Sequence, residues 1–99
     1  MNHFLVEITY LVPLERIDEL LPGHRAFLQE GYDRGLLLLS GPQNPRVGGI
    51  VVARAESFAE LDSFFAGDPY RREGVAEYRF VEFSPVKFQP LVADWIGGA

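Results

Sequence analysis

The sequence predicts an α+β domain whose elements run β-α-β-β-α-β around an antiparallel sheet. Three observations predict it. Four short segments are rich in β-branched and aromatic residues and are bounded by Gly and Pro. Two longer stretches carry apolar residues at helical spacing instead. The middle two strand segments are separated only by a turn, which makes them a hairpin. A length of 99 residues fits one domain spanning 1–99, with residues 87–99 as a C-terminal tail.

The first strand is Phe4–Tyr10, with Phe4, Val6, Ile8 and Tyr10 on one face. Leu5 and Leu11 make the other face apolar too, so both faces are expected to be buried. From Pro13 to Arg34 the spacing becomes helical. Pro13 suits a first helical position, where a missing N–H costs nothing. Leu14, Ile17 and Leu21 form a stripe, then Pro22-Gly23 interrupts it. Pro22 either kinks one continuous helix or opens a second one. Beyond it His24, Phe27, Leu28, Gly31 and Gly35 keep the helical spacing, which turns His24 inward, and Gly35 is a natural stop.

Leu36–Ser40 is too short and too tightly bounded for a helix. It reads as the second strand, ending at Gly41-Pro42. Gln43–Arg46 is a turn, and Gly48–Arg54 is the third strand. Ser57-Phe58-Ala59-Glu60 is a capping box that opens a second helix to about Ala66. Phe58, Leu61, Phe64 and Phe65 form its apolar stripe. Gly67–Tyr70 breaks it, and Val75–Pro85 is the fourth strand. Phe88, Leu91, Val92 and Trp95 make the tail too apolar to be left in water.

This order is the ferredoxin-like unit, in which both helices cover one face of the sheet. Strands apolar on both faces leave a second face to be covered. A homodimer joined sheet to sheet is the economical solution. The 47% of hydrophobic residues, generous for so short a chain, points the same way.

Charge and composition exclude several classes. The formal net charge is −5, and the densest basic spot, Arg71-Arg72, is followed at once by Glu73. Nucleic-acid binding, which needs a basic face, is not expected. No apolar run approaches the roughly 20 residues that span a bilayer. The start Met1-Asn2-His3 lacks a signal-type segment, so a cytoplasmic location is the default expectation. The absence of Cys excludes disulfides, thiolate nucleophiles and Cys-ligated zinc.

Few residues are left to carry chemistry. His3 precedes the first strand and reads as a surface residue. His24 sits among apolar neighbours. The simpler reading is a half-buried histidine with one backbone hydrogen bond; the functional one is a general base, because imidazole is matched to proton transfer near pH 7. Asp68 before Pro69 is a natural cap for a short helical turn over 69–73. Its functional reading is a carboxylate that holds His24 in one tautomer, as in catalytic triads. No spacing brings residues 24 and 68 together, although two helices side by side on one sheet face permit contact. Ser40 either simply ends a strand or donates its hydroxyl to a ligand oxygen. Arg46 is a solvated loop residue or a partner for a ligand carboxylate. Tyr70 reads as packing with a polar tip. Gly48-Gly49 lacks the pattern of a phosphate loop, and no His/acid cluster has metal-ligand spacing.

Taken together, Pro22–Leu28, Gly35 through Ser40-Gly41-Pro42, Asp68-Pro69-Tyr70 and Gly74-Val75 resemble the YciI-like (YCII-related) family over nearly the whole chain. The resemblance implies a dimeric α+β barrel. It also implies an active site built around a His-Asp pair, here His24 and Asp68, with Ser40 as a substrate-binding candidate. Relatives that dehydrochlorinate hydroxyquinols or isomerise muconolactone imply a lyase or isomerase. Such an enzyme would move a proton on a small, cyclic, oxygenated metabolite without metal or organic cofactor. A non-catalytic ligand-binding or regulatory module, or a purely structural dimer, would use the same fold. Two stretches depart from the family. Thr9–Leu21 lacks a more polar loop, and Phe88–Trp95 runs past the usual end, where it would cover the pocket or strengthen the dimer.

Overall fold

The computed structural model describes residues 1–98. Strand β1 (Asn2–Tyr10) leads into helix α1 (Leu14–Asp33), followed by strands β2 (Leu37–Pro42) and β3 (Gly48–Ala55). Helix α2 (Phe58–Phe65), the single turn α3 (Pro69–Arg72) and strand β4 (Ala76–Phe83) complete the β-α-β-β-α-β order. A 3-10 turn over Pro90–Val92 and the short helix α4 (Ala93–Ile96) follow. The strands form one antiparallel sheet in the order β2-β3-β1-β4. This is the ferredoxin-like α+β architecture read from the sequence.

Alternation along each strand divides the sheet into two faces. Phe4, Val6 and Ile8 of β1, Val51, Ala53 and Ala55 of β3, and Tyr78 and Phe80 of β4 point toward the helices. They meet Ile17 and Phe27 of α1 and Leu61, Phe64 and Phe65 of α2 in one apolar core. The opposite face carries an apolar row across all four strands. Leu39 pairs with Val52, Val52 with Leu5, and Leu5 with Val81. Leu39 is 55% exposed, so this row is open in the single chain.

Helix α1 runs unbroken through Pro22, which settles the alternative left open by the sequence. Residues 19–22 still form helix because one missing donor is a local loss in a helix of 20 residues anchored by Ile17, Phe27 and Gly31. Gly35, at φ 73°, ends the helix in the left-handed region that a side chain would resist. Gly48 is required for a different reason: a Cβ there would lie 1.8 Å from the carbonyl oxygen of Ile8, so only glycine lets β3 start against β1. Ser57 caps α2 by accepting from the Glu60 N–H at 3.1 Å, while Glu60 reaches back to the N–H of Glu56, one residue before the expected partner. Phe58 of the predicted stripe lies at the exposed start of the helix, and Leu61, Phe64 and Phe65 do the packing.

His3 corrects its surface assignment: it is buried. The cause is Trp95 of α4, whose ring meets the imidazole edge-on at 5.6 Å. Trp95 is itself fixed by the Arg54 guanidinium, 5.0 Å from its ring, and by a bond from its Nε1–H to the Gly35 carbonyl at 3.2 Å. The tail thus closes over the sheet end where β1 begins and β3 ends. Among the described residues no helix is long and apolar enough to cross a membrane.

Candidate functional site

The site forms where α1 crosses the turn between α2 and β4. Gly23 permits that approach, since a Cβ added there would sit 3.3 Å from Pro69 Cγ. One residue on, His24 therefore reaches Asp68. Nδ1 of His24 lies 2.9 Å from Oδ1 and 3.0 Å from Oδ2 of Asp68. Asp68 is completely buried and the His24 side chain is 12% exposed.

Asp68 serves the helical turn and His24 at once. Its Oδ1 accepts the Tyr70 N–H at 3.1 Å and so caps α3, and the same oxygen meets His24. Oδ2 takes a further bond from the Tyr78 hydroxyl. Three donors converge on one buried carboxylate, which is how such a group is tolerated away from water. Burial raises the Tyr78 phenol above its usual pKa, and the adjacent Asp68 charge adds to it. Tyr78 thus stays a protonated donor.

The imidazole plane is fixed from a second direction. It stacks on the Tyr70 ring at 4.0 Å between centroids and 12° between planes. Tyr70 in turn meets Tyr10 edge-on at 5.9 Å. In a neutral imidazole, a carboxylate acceptor at Nδ1 requires the proton there and leaves the lone pair on Nε2. His24 lines a cavity of about 340 Å³, and Asp68 stands behind it rather than in the wall.

Ser40 lines the same cavity. It pairs with Val51 at the end of β2 and so faces the helix side of the sheet. Its Oγ is 2.6 Å from the Tyr32 hydroxyl of α1. If Tyr32 donates, the Ser40 proton is available to a ligand. Ile8, Leu21 and Val51 supply apolar wall, and Arg25, Arg46 and Tyr70 supply polar groups. Arg46 pairs with Asp18 at 2.6 Å on the outer side. No described residue of the tail lines the cavity. Among the described residues no three His, Cys, Asp or Glu side chains gather as metal ligands would.

The structure thus brings His24, Asp68 and Ser40 to one place. Tyr78, Tyr32 and Arg25 were not singled out from the sequence. A signal for Tyr78 existed: a tyrosine on the core face of β4 needs a partner for its hydroxyl. Nothing in the spacing identified that partner as Asp68, ten residues earlier.

A ferredoxin-like α+β domain with a half-buried imidazole at the wall of a small cavity is the class that fold and site define. Residues 3–84 match the YCII-related domain, and the chain belongs to that family. Among solved structures it is similar to 5-chloro-2-hydroxyhydroquinone dehydrochlorinase (TftG) from Burkholderia phenoliruptrix AC1100, in complex with 2,5-dihydroxybenzoquinone. The match has 20% identity and a TM-score of 0.64, and covers 88% of this chain and 93% of that one. At that identity the likeness concerns the fold. No curated protein matches the chain.

Proposed function

We propose that the protein is a lyase or isomerase that transfers a proton on a small, cyclic, oxygenated metabolite, with His24 as the base. The observation that carries this reading is the His24–Asp68 pair. Nδ1 is committed to a buried carboxylate, and Nε2 is left for the cavity. In the reaction, Nε2 takes a proton from a carbon next to a carbonyl. The C–H electron pair moves to the carbonyl oxygen and forms an enolate. Asp68 balances the imidazolium that results, and Ser40 donates to the enolate oxygen. Return of the proton to a different carbon completes an isomerisation. Departure of an anionic leaving group from the neighbouring carbon completes an elimination.

The dehydrochlorinase with a similar fold supports this choice of reaction type, as does its complex with an oxygenated ring. Residues 1–99 read as one cytoplasmic domain acting as a homodimer, with the open row Leu39-Val52-Leu5-Val81 as the shared face. The same cavity would serve a non-catalytic ligand-binding module, and one experiment separates the two. A panel of small cyclic ketones, lactones and hydroxyquinones is incubated with protein in D2O, and loss of carbon-bound protons is followed by NMR. The expected result is catalysed exchange that falls by about 10²–10⁴-fold in His24→Ala. Exchange that persists in that variant would refute the role of His24. Binding without exchange would make the domain a receptor.

A further inference from the structure

We infer that the cavity selects a small planar anion, with Arg25 and Arg46 as its charge-selecting residues and the Tyr70 hydroxyl as a buried donor to it. This rests on the reading of the cavity as the ligand site, but not on any catalytic role for His24.

Three observations carry it. The first is a local inversion of charge. The chain has a formal net charge of −5, yet among the described residues Arg25 and Arg46 line this cavity and no acid does; the nearest carboxylates, Asp18 and Asp68, stand behind Arg46 and His24. The two arginines come from different elements, α1 and the β2–β3 turn, so the positive wall is not an accident of one helix face. A cavity with low-dielectric walls and one sign of charge concentrates ions of the opposite sign.

The second is the partnering of these arginines. Arg46 is held by Asp18 through one nitrogen, Nη2. A guanidinium has five N–H donors, so further donors of Arg46 remain for the cavity. Arg25 makes no ion pair among the described residues. The third is Tyr70. Its hydroxyl is buried and makes no hydrogen bond among the described residues, although the residue lines the cavity. A buried O–H without an acceptor is unfavourable, and a ligand oxyanion would supply one. Burial and the neighbouring Tyr10 raise the Tyr70 pKa, so the group remains a donor.

Size and wall chemistry narrow the class. About 340 Å³ lies at the small end of ligand cavities, enough for a single ring. Ile8, Leu21 and Val51 suit the apolar body of that ring. The anionic group is a delocalised oxyanion, either a carboxylate or an ionised enol.

The test uses the full chain and three probes: benzoate, its neutral isostere benzamide, and 2,5-dihydroxybenzoquinone as an acidic enol. Dissociation constants are read from amide NMR shifts in the wild type and in Arg25→Gln, Arg46→Gln and Tyr70→Phe. Arg79→Gln, on the far face of β4, is the control. The expected result is a preference for benzoate over benzamide of about tenfold or more, reduced in both arginine variants and unchanged in the control, with benzoate bound more weakly in Tyr70→Phe; unaltered binding there would remove Tyr70 from the site. Binding of benzoate alone would identify the carboxylate as the source of charge, and binding of the quinone alone the enol. Equal affinity for benzoate and benzamide would overturn the inference. So would a preference that survives both arginine variants, or no binding of either anion at millimolar concentration. Charge selection that stands while exchange proves independent of His24 would remove the catalytic reading and leave this one. The reverse pattern would do the opposite.

Discussion

The carboxylate of Asp68 lies behind the imidazole of His24, with both oxygens within 3.0 Å of Nδ1, and none of Asp68 reaches solvent. The pair links α1 to the start of α3 across 44 residues of sequence. Tyr78 from β4 binds the same carboxylate, so three elements meet at one acid. A group placed this way can set both a tautomer and a packing geometry.

The tautomer is the more specific consequence. Asn at position 68 keeps one oxygen but replaces the other with a donor. His24 would then no longer be required to carry its proton on Nδ1. In Asp68→Asn, ring nitrogen and carbon shifts of His24 are expected to report a mixture of tautomers, against a single Nδ1–H form in the wild type. Identical spectra would show that Asp68 does not set the tautomer. Asp68→Ala goes further and leaves Tyr78, Tyr70 N–H and His24 without their acceptor. Breaking such a buried pair costs about 3–5 kcal/mol, which urea unfolding would measure.

Stability should fall on both sides of neutrality, for two separate reasons. Tyr70 and Tyr78 have raised pKa values, chiefly through burial. The unfolded chain loses these protons near the ordinary tyrosine value of about 10 while the folded chain keeps them. Their contribution is therefore complete below that value and is lost as pH rises above it. His3 behaves in the opposite sense. Burial, then the N-terminal ammonium, lowers its pKa from 6.5. Its contribution is complete above 6.5 and is lost as pH falls through the lowered value. Urea midpoints against pH should show both limbs. Tyr78→Phe should flatten the alkaline one and His3→Gln the first part of the acid one. A limb that its variant leaves unchanged would assign that loss to other groups.

Much of this was legible in the sequence because it depends on short-range patterns. Period-two alternation in β1, the capping box at Ser57 and the turn between Pro42 and Gly48 each declare themselves within a few residues. The element order then follows. Continuity of α1 through Pro22 was not legible, because packing of Ile17 and Phe27 outweighs one missing donor, and packing is not local. His3 was misplaced for the same reason: its cover, Trp95, arrives from 92 positions along the chain. The site divides in the same way. His24, Asp68 and Ser40 were singled out by residue type and by resemblance. Their contacts with Tyr78, Tyr70 and Tyr32 depend on which strand face opposes which helix, and a periodicity argument leaves that choice open.

Gly23 offers a test of whether the site depends on the helix crossing. A Cβ at this position is already tight against Pro69, at 3.3 Å. The branched side chain of Gly23→Val presses on the Pro69 ring, which must give by a few tenths of an ångström and carries the start of α3 with it. Its overpacking should cost about 1–3 kcal/mol, partly offset by a helix preference better than that of glycine. Because Asp68 caps α3, that movement draws the carboxylate away from His24. Circular dichroism should be unchanged, while the His24 ring shifts move toward those of Asp68→Asn. A native His24 spectrum in Gly23→Val would show that the turn can yield without disturbing the pair.

The open sheet face makes the last prediction. Leu39, Val52, Leu5 and Val81 lie side by side across four strands, and Phe83 adds a ring that is 43% exposed. Each buried side chain of this kind contributes about 1.5–3 kcal/mol when removed from water. A face of this composition is more stable covered, and a second copy would provide the matching row through a two-fold axis. Sedimentation should therefore give twice the 11.1 kDa chain mass. Leu39→Lys and Val81→Lys place charges on the two edge strands and leave the helix-side core intact. Both should shift the protein to monomer while far-ultraviolet dichroism stays native. A wild type that sediments as a monomer would mean that this row is covered in some other way. The cavity around His24 would then have to function within a single chain.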